Sequence, residues 1–366
     1  MEEIVKLTED LIRFKTMHSQ PEEIQRCMAF IEDFLKQCDA HYQRLDHDNY
    51  PSIIVMPPNG IAPVMLMSHI DVVDAPAELF EPRIKDNALF GRGSVDDKYA
   101  AALSLVMVKN HLLRLGKEGK DQSDLPFGVI ITADEEIGGA NGAQQALKEV
   151  KAGFCIALDG GSLKKIVVKE KGIVKLKLIT RGKTAHGARP WLGENAIENL
   201  IDDYRVLKTH FDLSAPDHWH RTLNFSRIEA GKASNQVPDH AEALFDIRYT
   251  ENDDMEALFK NIQAEIKGEL VVEKKEPLFE GGASPYLDLL LEIAKGTAVG
   301  FEHGASDARF LSAHGIKGIV WGADGDLSQH SADEHINIDS LYQLYDLLDN
   351  FITRSAEKGI RIATSL

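Results

Sequence analysis

Seven side chains able to act as acids, bases or metal ligands sit just beyond short apolar runs in this sequence, or in a glycine-flanked turn. His69 and Asp71 follow residues 64–68, Glu135 and Glu136 follow 127–132, Asp159 follows 154–158, and His330 comes shortly after 317–321. Asp96 lies in Gly91-Arg92-Gly93-Ser94-Val95-Asp96-Asp97-Lys98, whose glycines permit a tight turn ahead of a helix. Imidazoles and carboxylates without cysteine suit zinc, manganese or cobalt, and several carboxylates can hold two ions when one bridges them. Two ions about 3.5–4 Å apart share a water, lower its pKa and polarise a carbonyl oxygen, which is hydrolase chemistry. Asp71, two residues after His69, is placed to orient that imidazole. The adjacent glutamates invite a division of labour, one coordinating and the other serving as general base and then as proton donor to the leaving amine.

Taken singly, each piece has a plainer reading. His69-x-Asp71 reads as a hydrogen-bonded loop histidine, Asp96 as a helix N-cap, and Glu135-Glu136 as a solvated acidic loop. Asp159 before Gly160-Gly161 is a turn former, and His330 a surface histidine. Their joint occurrence at successive strand ends favours a shared site.

The elements that must deliver these groups follow from periodicity. Ile4, Leu7, Leu11 and Ile12, then Ile24, Met28, Ile31, Leu35 and Cys38 after Pro21, predict two amphipathic helices. Apolar runs then alternate with helical patterns at about 98–115 and 143–150, which predicts an α/β fold with a mostly parallel sheet flanked by helices. In such sheets ligands bind outside the carboxyl ends of the strands, where the seven residues fall. From residue 173 the order becomes βαββαβ, the split βαβ arrangement of a ferredoxin-like domain. The expected organisation is a catalytic metal-binding domain over 1–172 and 283–366, with an inserted lid or dimerisation domain over 173–282.

Composition narrows the partners. The chain has 366 residues, 43% hydrophobic and 27% charged, which excludes a disordered or fibrous protein. A net charge of −17 repels nucleic-acid phosphates and anionic lipid while attracting cations. Cys27, Cys38 and Cys155 are too few and too scattered for a disulfide framework or a thiolate zinc site. The acidic start, with no signal-like or membrane-length apolar run, leads to the expectation of a cytoplasmic protein.

Five strings in one order carry a resemblance that covers essentially the whole chain. Met67-Ser68-His69-Ile70-Asp71-Val72-Val73, the glycine-flanked string from Gly91 to Lys98, Ala133-Asp134-Glu135-Glu136-Ile137-Gly138, Leu158-Asp159-Gly160 and Gly182-Lys183-Thr184-Ala185-His186-Gly187 resemble the zinc-dependent amidohydrolases and metallopeptidases. That family includes succinyl-diaminopimelate desuccinylase, acetylornithine deacetylase, carboxypeptidase G and carnosinase-like dipeptidases. The resemblance implies one zinc held by His69, Asp96 and Asp159 and a second by Asp96, Glu136 and His330, with Asp96 bridging. It implies that Glu135 is the general base, that Asp71 orients His69, and that His186 stabilises the oxyanion, often across a homodimer. It further implies that Asn235 and Arg248 bind a substrate carboxylate. Gly304-Ala305-Ser306-Asp307-Ala308-Arg309 resembles a substrate loop of these relatives, with Ala305 replacing a hydroxyl residue. Asp159 and Asp96-Asp97-Lys98 look more like the dipeptidases, whereas the compact insert resembles that of dimeric deacylases.

The expected activity is therefore hydrolysis of the amide bond of an N-acyl amino acid by a bridging metal hydroxide. The expected cofactors are two divalent ions, zinc first and cobalt or manganese as substitutes. A dipeptidase or carboxypeptidase of the same family is the alternative, and a non-catalytic metal-binding scaffold the rival from another class. A small acyl-amino-acid or dipeptide substrate and a homodimer through the inserted domain complete the expectation, with no nucleic-acid or membrane partner.

Overall fold

The computed structural model describes residues 1–360, which divide into two compact units. The larger comprises Met1–Lys169, Glu280–Glu302 and the residues from Ser306 onward, and the smaller Glu170–Phe279 with His303–Ala305.

At the centre of the larger unit, the strands Phe127–Thr132, Ile61–His69, Lys151–Ala157 and Lys317–Val320 run parallel in that spatial order. They read as near-continuous apolar runs because both faces are covered. The helix Lys98–Lys117 lies against Ile61–His69, and its Ala100-Ala101-Ala102 run leaves room for close approach. Glu2–Ile12 and Pro21–Gln37 form the two amphipathic helices, and Ile338–Glu357 closes the unit. In register, His69 lies opposite Thr132, Met67 opposite Ala157, and Ala157 opposite Val320, so all four strands end along one edge.

The mostly parallel sheet matches the reading of the sequence, and antiparallel strands extend it on both sides. Gln43–His47 and Tyr50–Val55 form a hairpin beside Phe127–Thr132, and Lys165–Glu170 runs antiparallel to Lys317–Val320. The hairpin escaped the apolar pattern because Gln43–His47 is mostly polar and largely exposed. The helix expected over 143–150 is confined to Ala143–Ala146.

The smaller unit has a four-stranded antiparallel sheet in the order Thr222–Ala230, His240–Tyr249, Gly172–Arg181, Glu269–Glu276. Burial alternates along Gly172–Arg181 and His240–Tyr249, as one-sided packing requires. Val174, Leu176, Leu178, Ala243, Phe245 and Ile247 form the core with Leu200 and Ile262 from the helices Ala196–Thr209 and Met255–Glu265. Lys175 pairs with Asp246, and Lys177 with Glu273 at 2.7 Å. No helix among the described residues is long and apolar enough to cross a membrane, and all three cysteines are free.

Candidate metal centre

At the shared strand edge, ligand atoms of His69, Asp96 and Asp159 lie within 4.8 Å of one another, as do those of Asp96, Glu136 and His330. His69 ends its strand, and the N-terminus of the helix Lys98–Lys117 follows Asp96 by two residues. Glu136 lies in the turn after Phe127–Thr132. The His69 Nε2 is 3.1 Å from Asp96 Oδ1 and 3.8 Å from Asp159 Oδ2. The His330 Nε2 is 3.0 Å from Asp96 Oδ2 and 3.3 Å from Glu136 Oε1. The two Asp96 oxygens thus face different imidazoles, as a bridging carboxylate requires.

The donors fit divalent ions. Ligands about 2.0–2.2 Å from a tetrahedral ion stand roughly 3.3–3.6 Å apart, close to most of these separations. The His69 Nε2 is buried without a hydrogen-bond partner, while Nδ1 faces the Asp71 carbonyl oxygen at 3.0 Å. A proton on Nδ1 donated to that oxygen leaves the Nε2 lone pair directed at the carboxylates. Four acidic side chains, Asp96, Glu135, Glu136 and Asp159, converge here beside the buried Arg309 guanidinium, an imbalance that a cation relieves.

The same imbalance shows in the protonation of the groups. Hydrogen bonding to Asp96 and Glu136 pushes the His330 imidazole up to about 10. Burial would raise Asp96, but the hydrogen bonds of His330 and His69 outweigh it and hold Asp96 low. Burial first, then Asp159 and Asp307, pushes Glu135 well above the ordinary carboxylate range. A metal must displace the His330 proton at any pH below about 10, so binding releases a proton and affinity rises with pH up to that value. Zinc calorimetry in buffers of different ionisation enthalpy should register this release at pH 7.5; identical heats after correction for other proton sources would contradict it.

Asp71 is fully buried and joins several parts of the centre. Its Oδ1 accepts the Glu135 N–H at 3.2 Å, and its Oδ2 accepts the Glu136 N–H at 3.0 Å and lies 2.9 Å from His18 Nε2. Burial alone would raise its carboxyl, but His18 and His69 outweigh that and hold it well below its usual range. The Asp71→Asn variant should bind zinc about 10–100-fold more weakly, measured by competition with a chelator. Asparagine keeps the backbone carbonyl that His69 Nδ1 faces and changes only the carboxylate, whose Oδ1 lies 3.4 Å from the same nitrogen, so wild-type affinity would leave the orienting role to the carbonyl and not to the carboxylate.

Four further contributors lay outside the reading of the sequence. His18 extends the Asp71 network from the segment between the first two helices. Arg309 sits 3.3 Å from Glu135 Oε1 and is 2% exposed, so this end of the expected substrate loop points at a carboxylate of the centre. Arg92 and Glu334 form a buried ion pair between the loops of Asp96 and His330. The glycines around Arg92, and the four-residue offset of Glu334 from His330, were the available signals, but neither identifies a partner.

The remaining expected residues lie on the smaller unit. His186 Nδ1 accepts the Ala188 N–H at 3.1 Å, and Gly187 donates to the Asn235 carbonyl at 2.7 Å, placing His186 and Asn235 on neighbouring segments. They extend from the end of the sheet where His240 faces Arg181, whereas Arg248 faces Ile173 near the other end. Eight strand residues separate the two registers, roughly 27 Å at about 3.4 Å per residue. Arg248 also pairs with Asp246, Nε to Oδ1 at 2.8 Å. The structure therefore does not bring Arg248 beside Asn235 within one copy of this unit.

The sequence model of Peptidase family M20/M25/M40 matches residues 65–354. A succinyl-diaminopimelate desuccinylase of Wolbachia pipientis subsp. Culex pipiens is 26% identical over 377 aligned residues, which cover 95% of this chain and 92% of that protein. A probable carboxypeptidase of Arthroderma otae is 26% identical over 285, covering 70% of this chain and only 60% of the fungal protein. Among solved structures, a tripeptidase of Staphylococcus aureus superposes with a TM-score of 0.79 at 20% identity, covering 97% of this chain and 98% of that one.

Proposed function

The chain belongs to Peptidase family M20/M25/M40, hydrolases of amide or peptide bonds, and on that premise we propose that it removes the acyl group from an N-acyl amino acid. The observation that carries the hydrolytic part is Glu135, a largely enclosed carboxyl with a 12% exposed side chain, outside both ligand triads and adjacent to one of them. For the acyl substrate, support comes from the near full-length similarity to a desuccinylase and the compact smaller unit.

In this reading His69, Asp96 and Asp159 hold one divalent ion, and Asp96, Glu136 and His330 the other, with zinc the first choice and cobalt or manganese the substitutes. When bound, the pair supplies Lewis acidity for the scissile carbonyl and for the attacking water. Glu135, as the carboxylate, takes a proton from that water and passes it to the leaving amine nitrogen. The Asp71 carboxylate fixes the Glu135 and Glu136 backbone through their N–H groups. His186 stabilises the negative charge developing on the carbonyl oxygen, from its own subunit or a partner's, and Asn235 and Arg248 recognise a substrate carboxylate, a shared role that requires them to come from different subunits because they stand far apart within one copy. The proposed setting is a cytoplasmic homodimer formed through the smaller unit.

Asp159 supports a second reading, because some dipeptidases carry Asp where the deacylases carry Glu. Zinc-reconstituted protein should be assayed in parallel on N-succinyl and N-acetyl amino acids and on dipeptides. The deacylase reading expects the larger kcat/KM on an acyl amino acid; turnover of dipeptides alone would transfer the assignment to a dipeptidase.

A further inference from the structure

The loop of Asp96 and the loop of His330 are far apart in sequence, yet both end on one buried pair, Arg92 and Glu334, which are 4% and 2% exposed. Arg92 Nη1 donates to Glu334 Oε2, while Nη2 donates to the His330 carbonyl at 3.2 Å and the Ser331 carbonyl at 3.4 Å. Glu334 Oε1 accepts three backbone N–H groups, from Gly93 at 2.8 Å and from Val95 and Asp96 at 3.3 Å. The Gly91 N–H closes the junction on the Glu334 carbonyl at 3.0 Å. Each side chain therefore grips the backbone of one loop while pairing with the other.

Two physical points argue that this junction does more than hold the fold. A buried ion pair gains little over well-packed apolar residues, because desolvating both charges offsets their attraction. His330 also adopts a φ of 62°, an uncommon conformation for a residue with a side chain, and Arg92 binds the carbonyl of that strained residue. His330 Nε2 lies 3.0 Å from Asp96 Oδ2, so a shift of about one ångström between the two loops would break that contact.

We infer that Arg92 and Glu334 are positioning residues that preset the distance between Asp96 and His330, and so the affinity of the Asp96–Glu136–His330 triad for a divalent cation. The inference rests on the proposed reading of Asp96 and His330 as ligands. The His69–Asp96–Asp159 triad touches the clasp through Asp96 alone and is affected less.

The test is a zinc titration of the full-length chain, with chelator competition, for wild type, Glu334→Gln, Arg92→Lys and the reference variant His330→Ala. Wild type and His330→Ala identify which zinc belongs to the His330 side. Glu334→Gln and Arg92→Lys should weaken that zinc about 10–100-fold and leave the other within roughly threefold. Melting of the metal-free proteins, recorded in parallel, reports any purely structural effect. A lower melting temperature with wild-type zinc affinities at both triads would overturn the inference. Wild-type protein that binds no zinc would instead reject the underlying ligand assignment. Should neither clasp variant fold, hydrogen exchange of metal-free wild type decides: protected amides at Gly93, Val95 and Asp96 support a preset junction, and exchange at free-chain rates rejects it.

Discussion

Glu135→Gln should lower kcat by about 10²–10⁴-fold while two metal ions per chain and the melting temperature are retained. Glutamine keeps the size of the side chain and its carbonyl oxygen, so packing survives, but it cannot take a proton from water and return it to the amine. The specificity of the effect comes from position. Glu135 belongs to neither ligand triad, its N–H is fixed by Asp71, and its carboxyl lies beside the Arg309 guanidinium. Elemental analysis and steady-state kinetics on one preparation separate the possibilities. Near-wild-type turnover would remove Glu135 from the proton transfer, and loss of metal with loss of turnover would make it a ligand.

Asp96→Ala should have the widest consequence, because this carboxylate alone belongs to both triads. Metal content should fall at both positions and activity should reach background. Zinc should also no longer raise the melting temperature. At a hundredfold excess over its Kd one ion stabilises the native state by about 2.7 kcal/mol, on the order of 5–10 °C for a unit of this size. Asp159→Ala, by contrast, should spare the triad of Glu136 and His330. Equal losses in the two variants would contradict the bridging role of Asp96.

Much of this arrangement was legible because parallel strands buried on both faces leave unbroken apolar runs. Phe127–Thr132 is such a run, and Glu135-Glu136, three residues beyond its end, must then lie at the carboxyl edge. The strands ending at His69 and Ala157 are readable for the same reason. Gln43–His47 was not, because a polar, exposed strand carries no period-two signal. The site divides in the same way. His69, Asp96, Glu136 and Asp159 stand at or just after strand ends or in a glycine turn, where local pattern places them, and His330 lies in the loop after Lys317–Val320. Arg92, Glu334, His18 and Arg309 act through partners distant in the chain, such as the contact between His18 and Asp71, and periodicity carries no information about such pairs. Arg248 shows the converse limit: the resemblance singled it out, but its pairing with Asp246 and its distance along the sheet from the Asn235 segment needed the register of the strands.

The central claim is that two cations share Asp96 at this strand edge, and anomalous diffraction from crystals grown with zinc tests it most directly. The account predicts two peaks per chain at the zinc edge, one among His69, Asp96 and Asp159 and the other among Asp96, Glu136 and His330. Absence of anomalous density at these residues under saturating zinc, or a single ion that leaves Asp96 uncoordinated, would contradict it.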